Sequence, residues 1–129
     1  MQAVEFILYV RNQENSCDFY EKLLRKKPVL HVPGMTEFLL AENCKLGLMP
    51  NSGIVKILGN RLPSPEIGNG IPRCELYFEV DDVAYEFKHA LESGATLVSE
   101  LADRDWGHRV CYFADPDGHV IAFAQKIKE

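Results

Sequence analysis

The same order of elements runs through this chain twice, and that repeat limits the possible folds more than any other feature. "AVEFILYV" (3–10) alternates between two faces and is rich in residues that suit strands. In "NSCDFYEKLLRKKP", Ser16, Phe19, Tyr20, Leu23 and Leu24 recur at i, i+3, i+4, i+7 and i+8, the stripe of an amphipathic helix. Asn15 is placed to cap that helix, Arg25 to Lys27 suits its negative C-terminal end, and Pro28 stops it. Three short strands are expected next, over Val29–Val32, Glu37–Ala41 and Lys45–Met49. After residue 72 the order returns. "RCELYFEV" (73–80) reads as a strand, Asp81 or Asp82 caps a helix striped by Val83, Ala84, Phe87 and Leu91, and Gly94 ends it. Strands are then expected over Thr96–Leu101, Arg109–Ala114 and His119–Lys126.

The two halves align in register. Residues 4–10 match 74–80 at an offset of 75 − 5 = 70, while the helices match at 68, with Phe19 on Phe87 and Leu23 on Leu91. The expected fold class is α+β, with two β-α-β-β-β modules forming an open, cup-like mixed sheet. Module one is 1–49, module two is 73–129, and the Gly- and Pro-rich stretch 50–72 connects them. One small strand is expected in the connector at Ile54–Leu58. A helix must cover one face of each sheet. Phe6, Leu8 and Val10 are expected toward the first helix, and Leu76, Phe78 and Val80 toward the second. Alternation then puts Glu5, Ile7 and Tyr9, and likewise Glu75, Tyr77 and Glu79, on the opposite faces. Two such faces would naturally close on each other around a cavity.

The totals narrow the function. A chain of 129 residues is one ordinary domain, and 47% hydrophobic with 26% charged residues is a globular composition. A net charge of -5 argues against nucleic acid as partner, because phosphate binding needs a basic face. Glu5 interrupts the apolar opening stretch, so it does not read as a signal peptide, and no apolar run approaches a membrane span. Cytoplasm is the expected location, with no membrane partner. Cys17, Cys44, Cys74 and Cys111 are widely spaced with no C-x-x-C, and are expected as reduced, mostly buried thiols. His31, His89, His108 and His119 show no ligand spacing, and His108 alone reads as a rim candidate. The turn "DPDG" is not a calcium loop: with Gly118 at its sixth position, Phe113 and Ala124 would stand at the first and twelfth.

The doubled unit, "CDFYEKLL", "WGHR" (106–109) and "DPDGHVIAF" together resemble the vicinal oxygen chelate superfamily of glyoxalase I, bleomycin-resistance proteins, fosfomycin-resistance enzymes and extradiol dioxygenases. The resemblance covers essentially the whole chain and implies a homodimer. It also implies a divalent metal held from the first and fourth strands of each module. Carried over, those positions are Glu5, Gly47, Glu75 and Ala122, two with oxygen ligands and two with none. Such ions want about six ligands, so no cofactor is expected; any metal would be weakly held by Glu5 and Glu75. The leading expectation is a small-molecule binder of the bleomycin-resistance kind, acting by sequestration or sensing. Its ligand-binding residues would be Tyr9, Met49, Tyr77, Trp106 and Arg109. For Trp106 and Arg109 a structural alternative stands beside this, with Arg109 paired to a local Asp. The other functional alternative is a glyoxalase I-like lyase or an epimerase, with Glu75 and Glu5 as catalytic proton carriers.

Overall fold

A computed structural model describes residues 1–128. The chain divides into two compact units, Met1–Asn69 and a second beginning at Gly70. Unit one runs β1 (Val4–Val10), α1 (Gln13–Leu24), β2 (Leu30–Val32), β3 (Met35–Ala41), β4 (Cys44–Pro50) and α2 (Asn51–Leu58), with a short 3-10 turn at Pro65–Gly68. Unit two runs β5 (Glu75–Glu79), α3 (Val83–Glu92), β6 (Thr96–Asp103), β7 (His108–Ala114) and β8 (Val120–Lys126). Each builds a four-stranded sheet in the same order, β1-β4-β3-β2 and β5-β8-β7-β6. The first strand of each pairs parallel with the last, and the other pairs are antiparallel. A parallel pair needs a long crossover, which the helix and two strands supply. This is the expected βαβββ repeat.

In unit one the helix-side face is Leu8, Val10, Thr36, Phe38, Leu46 and Leu48, all buried. Against it α1 buries Ser16, Cys17, Phe19, Tyr20 and Leu23. Phe6 belongs to the same face by alternation yet remains 58% exposed, contrary to expectation. The helix α1 packs mainly on β3 and β4, and α2 on β4 and β1. That makes Ile54–Leu58 the last part of a helix and not a strand. A run of five residues is too short to distinguish the two periods, and here Ile54 is the apolar side chain the helix buries.

The helix caps refine the repeat. The N-cap of α1 is Asn12, whose Oδ1 accepts from the Asn15 backbone N–H at 3.0 Å, so Asn15 is the donor and not the cap. The cap of α3 is Asp82, accepting from the Tyr85 N–H at 3.1 Å. The caps lie 82 − 12 = 70 apart, the offset of the strands. The helical match at 68 therefore fails. Leu23 is buried, whereas Leu91 is exposed together with Ala84, and α3 instead buries Val83 and Ala90 while Phe87 meets the Phe113 ring. Of the cysteines, Cys17 and Cys111 are buried, Cys44 is half-buried and Cys74 is exposed. Among the described residues no helix is long and apolar enough to cross a membrane.

Candidate functional site

On the face of unit one away from α1, register places Glu5 opposite Lys45, Ile7 opposite Gly47 and Tyr9 opposite Met49, with Glu37 on the other side of Gly47. Tyr9 and Met49 thus share the face of Glu5, as expected. Gly47 is the geometric key. A Cβ there would overlap Oε2 of Glu5 and come 3.0 Å from Cγ1 of Ile7. The Glu5 carboxyl folds across β4 into the space a side chain would take. Its Oε2 is buried without a hydrogen-bond donor. Burial first, then the hydrogen bond and charge of Glu37, raise the Glu5 carboxyl above its ordinary value, and Lys45 opposes them. Lys45 itself donates to Oε1 of Glu37 at 3.3 Å. Two carboxylates that only accept cannot satisfy one another, so a proton on Glu5 is what completes the pair.

In unit two the equivalent face carries Glu75, Tyr77 and Glu79 from β5. Tyr77 lies opposite Ala122, as Ile7 lies opposite Gly47, which confirms Gly47 and Ala122 as repeat mates. The floor is small and apolar: Val110, Ala122 and Ala124 are fully buried, with Tyr112 packed on them. Above it stands a chain of hydrogen bonds. The Trp106 indole N–H donates to the Tyr77 hydroxyl at 2.8 Å. That hydroxyl lies 2.6 Å from Nδ1 of His108, and Nε2 of His108 is 3.5 Å from Oε1 of Glu79. Indole can only donate, so Tyr77 accepts from Trp106; the Glu79 carboxylate beside Nε2 can only accept, so that nitrogen bears the hydrogen and Nδ1 of the neutral ring takes the Tyr77 proton. The Tyr77 and His108 rings stack with centroids 5.8 Å apart. Trp106 and Tyr77 remain 56% and 37% exposed, so their ring surfaces are available to a ligand.

Arg109 does not join this group. It follows His108 on β7 and so faces the other way; its Nε donates to Oδ1 of Asp103 at 2.7 Å. The local Asp pairing is what the structure contains. The cation on the Tyr77 face is Arg104, whose guanidinium lies 5.4 Å from the Tyr112 ring centroid and donates to Ser99 at 3.1 Å. The Arg104 Nε is a buried donor with no partner. Burial first, then the charge of Glu75, pushes the Tyr112 hydroxyl up, while Arg104 acts against them. Alternation had already put Glu79 on this face, but Arg104, Tyr112 and Glu37 were not among the residues singled out from sequence. Strand parity would have found Tyr112 and Glu37 once the strand starts were known; Arg104 sits in a turn and left no signal.

The opening residues of "DPDGHVIAF" form a separate lock. Oδ1 of Asp115 accepts the backbone N–H groups of Asp117 and His119, and its Oδ2 accepts from Nδ1 of His119 at 2.8 Å. Arg73 contributes Nη2 to the carbonyl of Asp117 and to Nε2 of His119, at 3.1 and 3.2 Å. Arginine only donates, so Nε2 accepts and His119 is the neutral Nδ1–H tautomer. Among the described residues, Asp115, Asp117 and His119 are the group of three that approaches metal-ligand spacing, and these bonds already engage the Asp115 carboxylate and both ring nitrogens of His119.

Two four-stranded mixed sheets, each a βαβββ unit with a helix on one face, define the glyoxalase/bleomycin resistance-like fold of the vicinal oxygen chelate superfamily. The chain belongs to the glyoxalase-like domain family, whose model matches residues 3–128. An uncharacterized protein of Mycobacterium bovis is 30% identical over 125 residues, 95% of this chain and 82% of that one. A glyoxalase-related enzyme from Fulvimarina pelagi superposes with a TM-score of 0.81 at 19% identity, covering 97% of this chain and 88% of that one. TnmS3, an antibiotic binding protein from Streptomyces sp. CB03234, superposes with a TM-score of 0.72 at 23% identity, covering 98% and 97%.

Proposed function

We propose that the protein binds a small organic molecule without a tightly held metal, as a sequestering or sensing protein. The observation that carries this reading is the Trp106–Tyr77–His108–Glu79 chain. It holds two half-exposed aromatic rings rigidly over the small-residue floor of Val110, Ala122 and Ala124. Such preorganised aromatic surface binds without much loss of side-chain freedom. The fold likeness to the antibiotic-binding TnmS3 is consistent with it.

The residues at the superfamily's metal positions do not fit a divalent ion. Gly47 and Ala122 offer no donor atom. The Glu5 carboxyl fills the space over Gly47 next to a second carboxylate, and the Lys45 ammonium engages that pair. A chelator is accordingly expected to leave the melting temperature unchanged, and added nickel, zinc or manganese to leave it within error. A thermal-shift screen of aromatic natural products, thiol adducts and acyl-CoA esters tests the binding reading. A concentration-dependent rise that Trp106→Ala abolishes supports it, and a screen without any such rise sinks it.

The lyase or epimerase alternative draws on one observation, the Glu5 carboxyl raised by burial beside Glu37. It requires turnover of a methylglyoxal–thiol adduct that Glu5→Gln or Glu75→Gln abolishes. We also propose a homodimer, supported by the exposed apolar side chains of Val4, Phe6 and Ile7 on β1. Light scattering that gives the monomer mass at micromolar protein refutes it.

A further inference from the structure

We propose that the Tyr77 hydroxyl receives the acidic hydroxyl of a phenolic or enolic aromatic ligand, and that the ligand's proton passes through Tyr77 to His108. The proposal rests on the binding reading above and names its ligand class.

Hydrogen-bond valence leads to it. The Tyr77 oxygen accepts from Trp106 and gives its proton to Nδ1 of His108, which leaves one acceptor position on the oxygen. What fits that position is a donor, and a ligand hydroxyl beside the half-exposed indole of Trp106 satisfies both the polar and the aromatic surface. The transfer then balances. The ligand O–H bond breaks and its proton joins Oη of Tyr77 as the original Tyr77 proton moves to Nδ1 of His108. The ligand is left as an oxyanion and His108 as an imidazolium, while Tyr77 stays neutral. In the product Tyr77 donates to the oxyanion and accepts from both Trp106 and His108, and the imidazolium Nε2–H faces Glu79.

Acidity restricts the ligand. A carboxylic acid, with an ordinary value of about 4, is already ionised before it binds and has no proton to give. An aliphatic alcohol is too weak an acid to give its proton to an imidazole. Phenols and enols lie between. Around the relay stand Glu75 and Glu79 on β5, Tyr112 on β7, Lys126 opposite His108 on β8, and Arg104 over Tyr112. The Glu79 carboxylate lies 3.5 Å from Nε2 of His108, and Arg104 supplies positive charge on the face that receives the oxyanion.

Trp106 is the single tryptophan, so its fluorescence reports this face alone. Titrate the full chain with 4-nitrophenol and with 4-nitroanisole, which keeps the ring and loses the proton. The phenol is expected to quench with about tenfold higher affinity, the worth of one hydrogen bond to a polar group. Its yellow phenolate band should appear at lower pH when bound than when free. Tyr77→Phe should equalise the two probes. His108→Gln should still bind the phenol but return the phenolate midpoint to the free value. Equal affinities in the wild type overturn the proposal and leave small-molecule binding intact. An unshifted midpoint, or no quenching by either probe, also overturns it, while the thermal-shift screen decides the binding reading separately.

Discussion

Replacing Glu5 by Gln should stabilise the protein at neutral pH and remove part of its acid-side pH dependence. In the wild type, Oε2 of Glu5 is buried without a donor, next to the carboxylate of Glu37. A buried acceptor without a partner costs about 1–3 kcal/mol. The amide of Gln supplies a donor toward Glu37 and carries no charge, so a gain of about 1 kcal/mol is expected above the titration window. The sign follows from the direction of the shift. The folded-state value is raised above the ordinary 4.5, so the contribution of Glu5 is fully present below 4.5 and lost as pH rises through the folded value. Within that window a single proton can change stability by at most about 1.4 kcal/mol per pH unit. Urea unfolding of both proteins from about pH 4 to about pH 8 isolates the term as a difference between curves. The curves should run close together at the acid end and separate across the window, with the Gln variant above. Lys45→Met removes the charge that opposes the shift, and should move the window to higher pH. Parallel curves, or a Gln variant less stable at about pH 8, would refute the buried-pair reasoning.

Gly47→Ala should flatten the same pH curve, because its Cβ displaces the Glu5 carboxyl toward water; an unchanged wild-type slope argues against the cradle. Asp115→Ala removes the acceptor of two backbone N–H groups and of a buried imidazole, and should cost about 3–5 kcal/mol in urea unfolding. Asn12→Ala should cost about 1 kcal/mol through the lost α1 cap, whereas Asn15→Ala should leave that cap intact. Arg109→Ala breaks a solvent-exposed ion pair, so the urea midpoint should stay within error of the wild type and ligand-induced thermal shifts should persist.

Much of this fold was legible because its signals are local or repeated. The strand alternation in Val4–Val10 and Glu75–Glu79 and the Asp82 cap need no tertiary knowledge, whereas α1 ends at Leu24 on a left-handed Arg25, ahead of the expected stop at Pro28. Periodicity gave less where runs are short. Ile54–Leu58 suits either period, and only packing on β1 and β4 decides for helix. The candidate site was legible through Glu5, Tyr77 and Trp106, and less so through Arg109. Beginning β7 at His108 puts His108 and Tyr112 on the face of Tyr77 and turns Arg109 away, so one residue of parity exchanges the arginine for the histidine. The pairing of Glu5 with Glu37 depends on β3 lying beside β4, a long-range register that one sequence does not display.

The strand order carries a consequence for how the chain is made. In each unit the first strand pairs with the last, so neither sheet can be completed until its final strand is available. On a ribosome, unit one can close once β4 emerges. The strand β5, however, waits through α3, β6 and β7 for β8. Arg73 and Cys74 then meet the His119 side chain and the Val120 backbone N–H across more than forty residues of chain. Non-local closure of that kind is slow. The lock formed by Arg73, Asp115 and His119 sits at that closing point, which makes it a late step of synthesis-coupled folding and the place where an incomplete second unit would remain open to proteases.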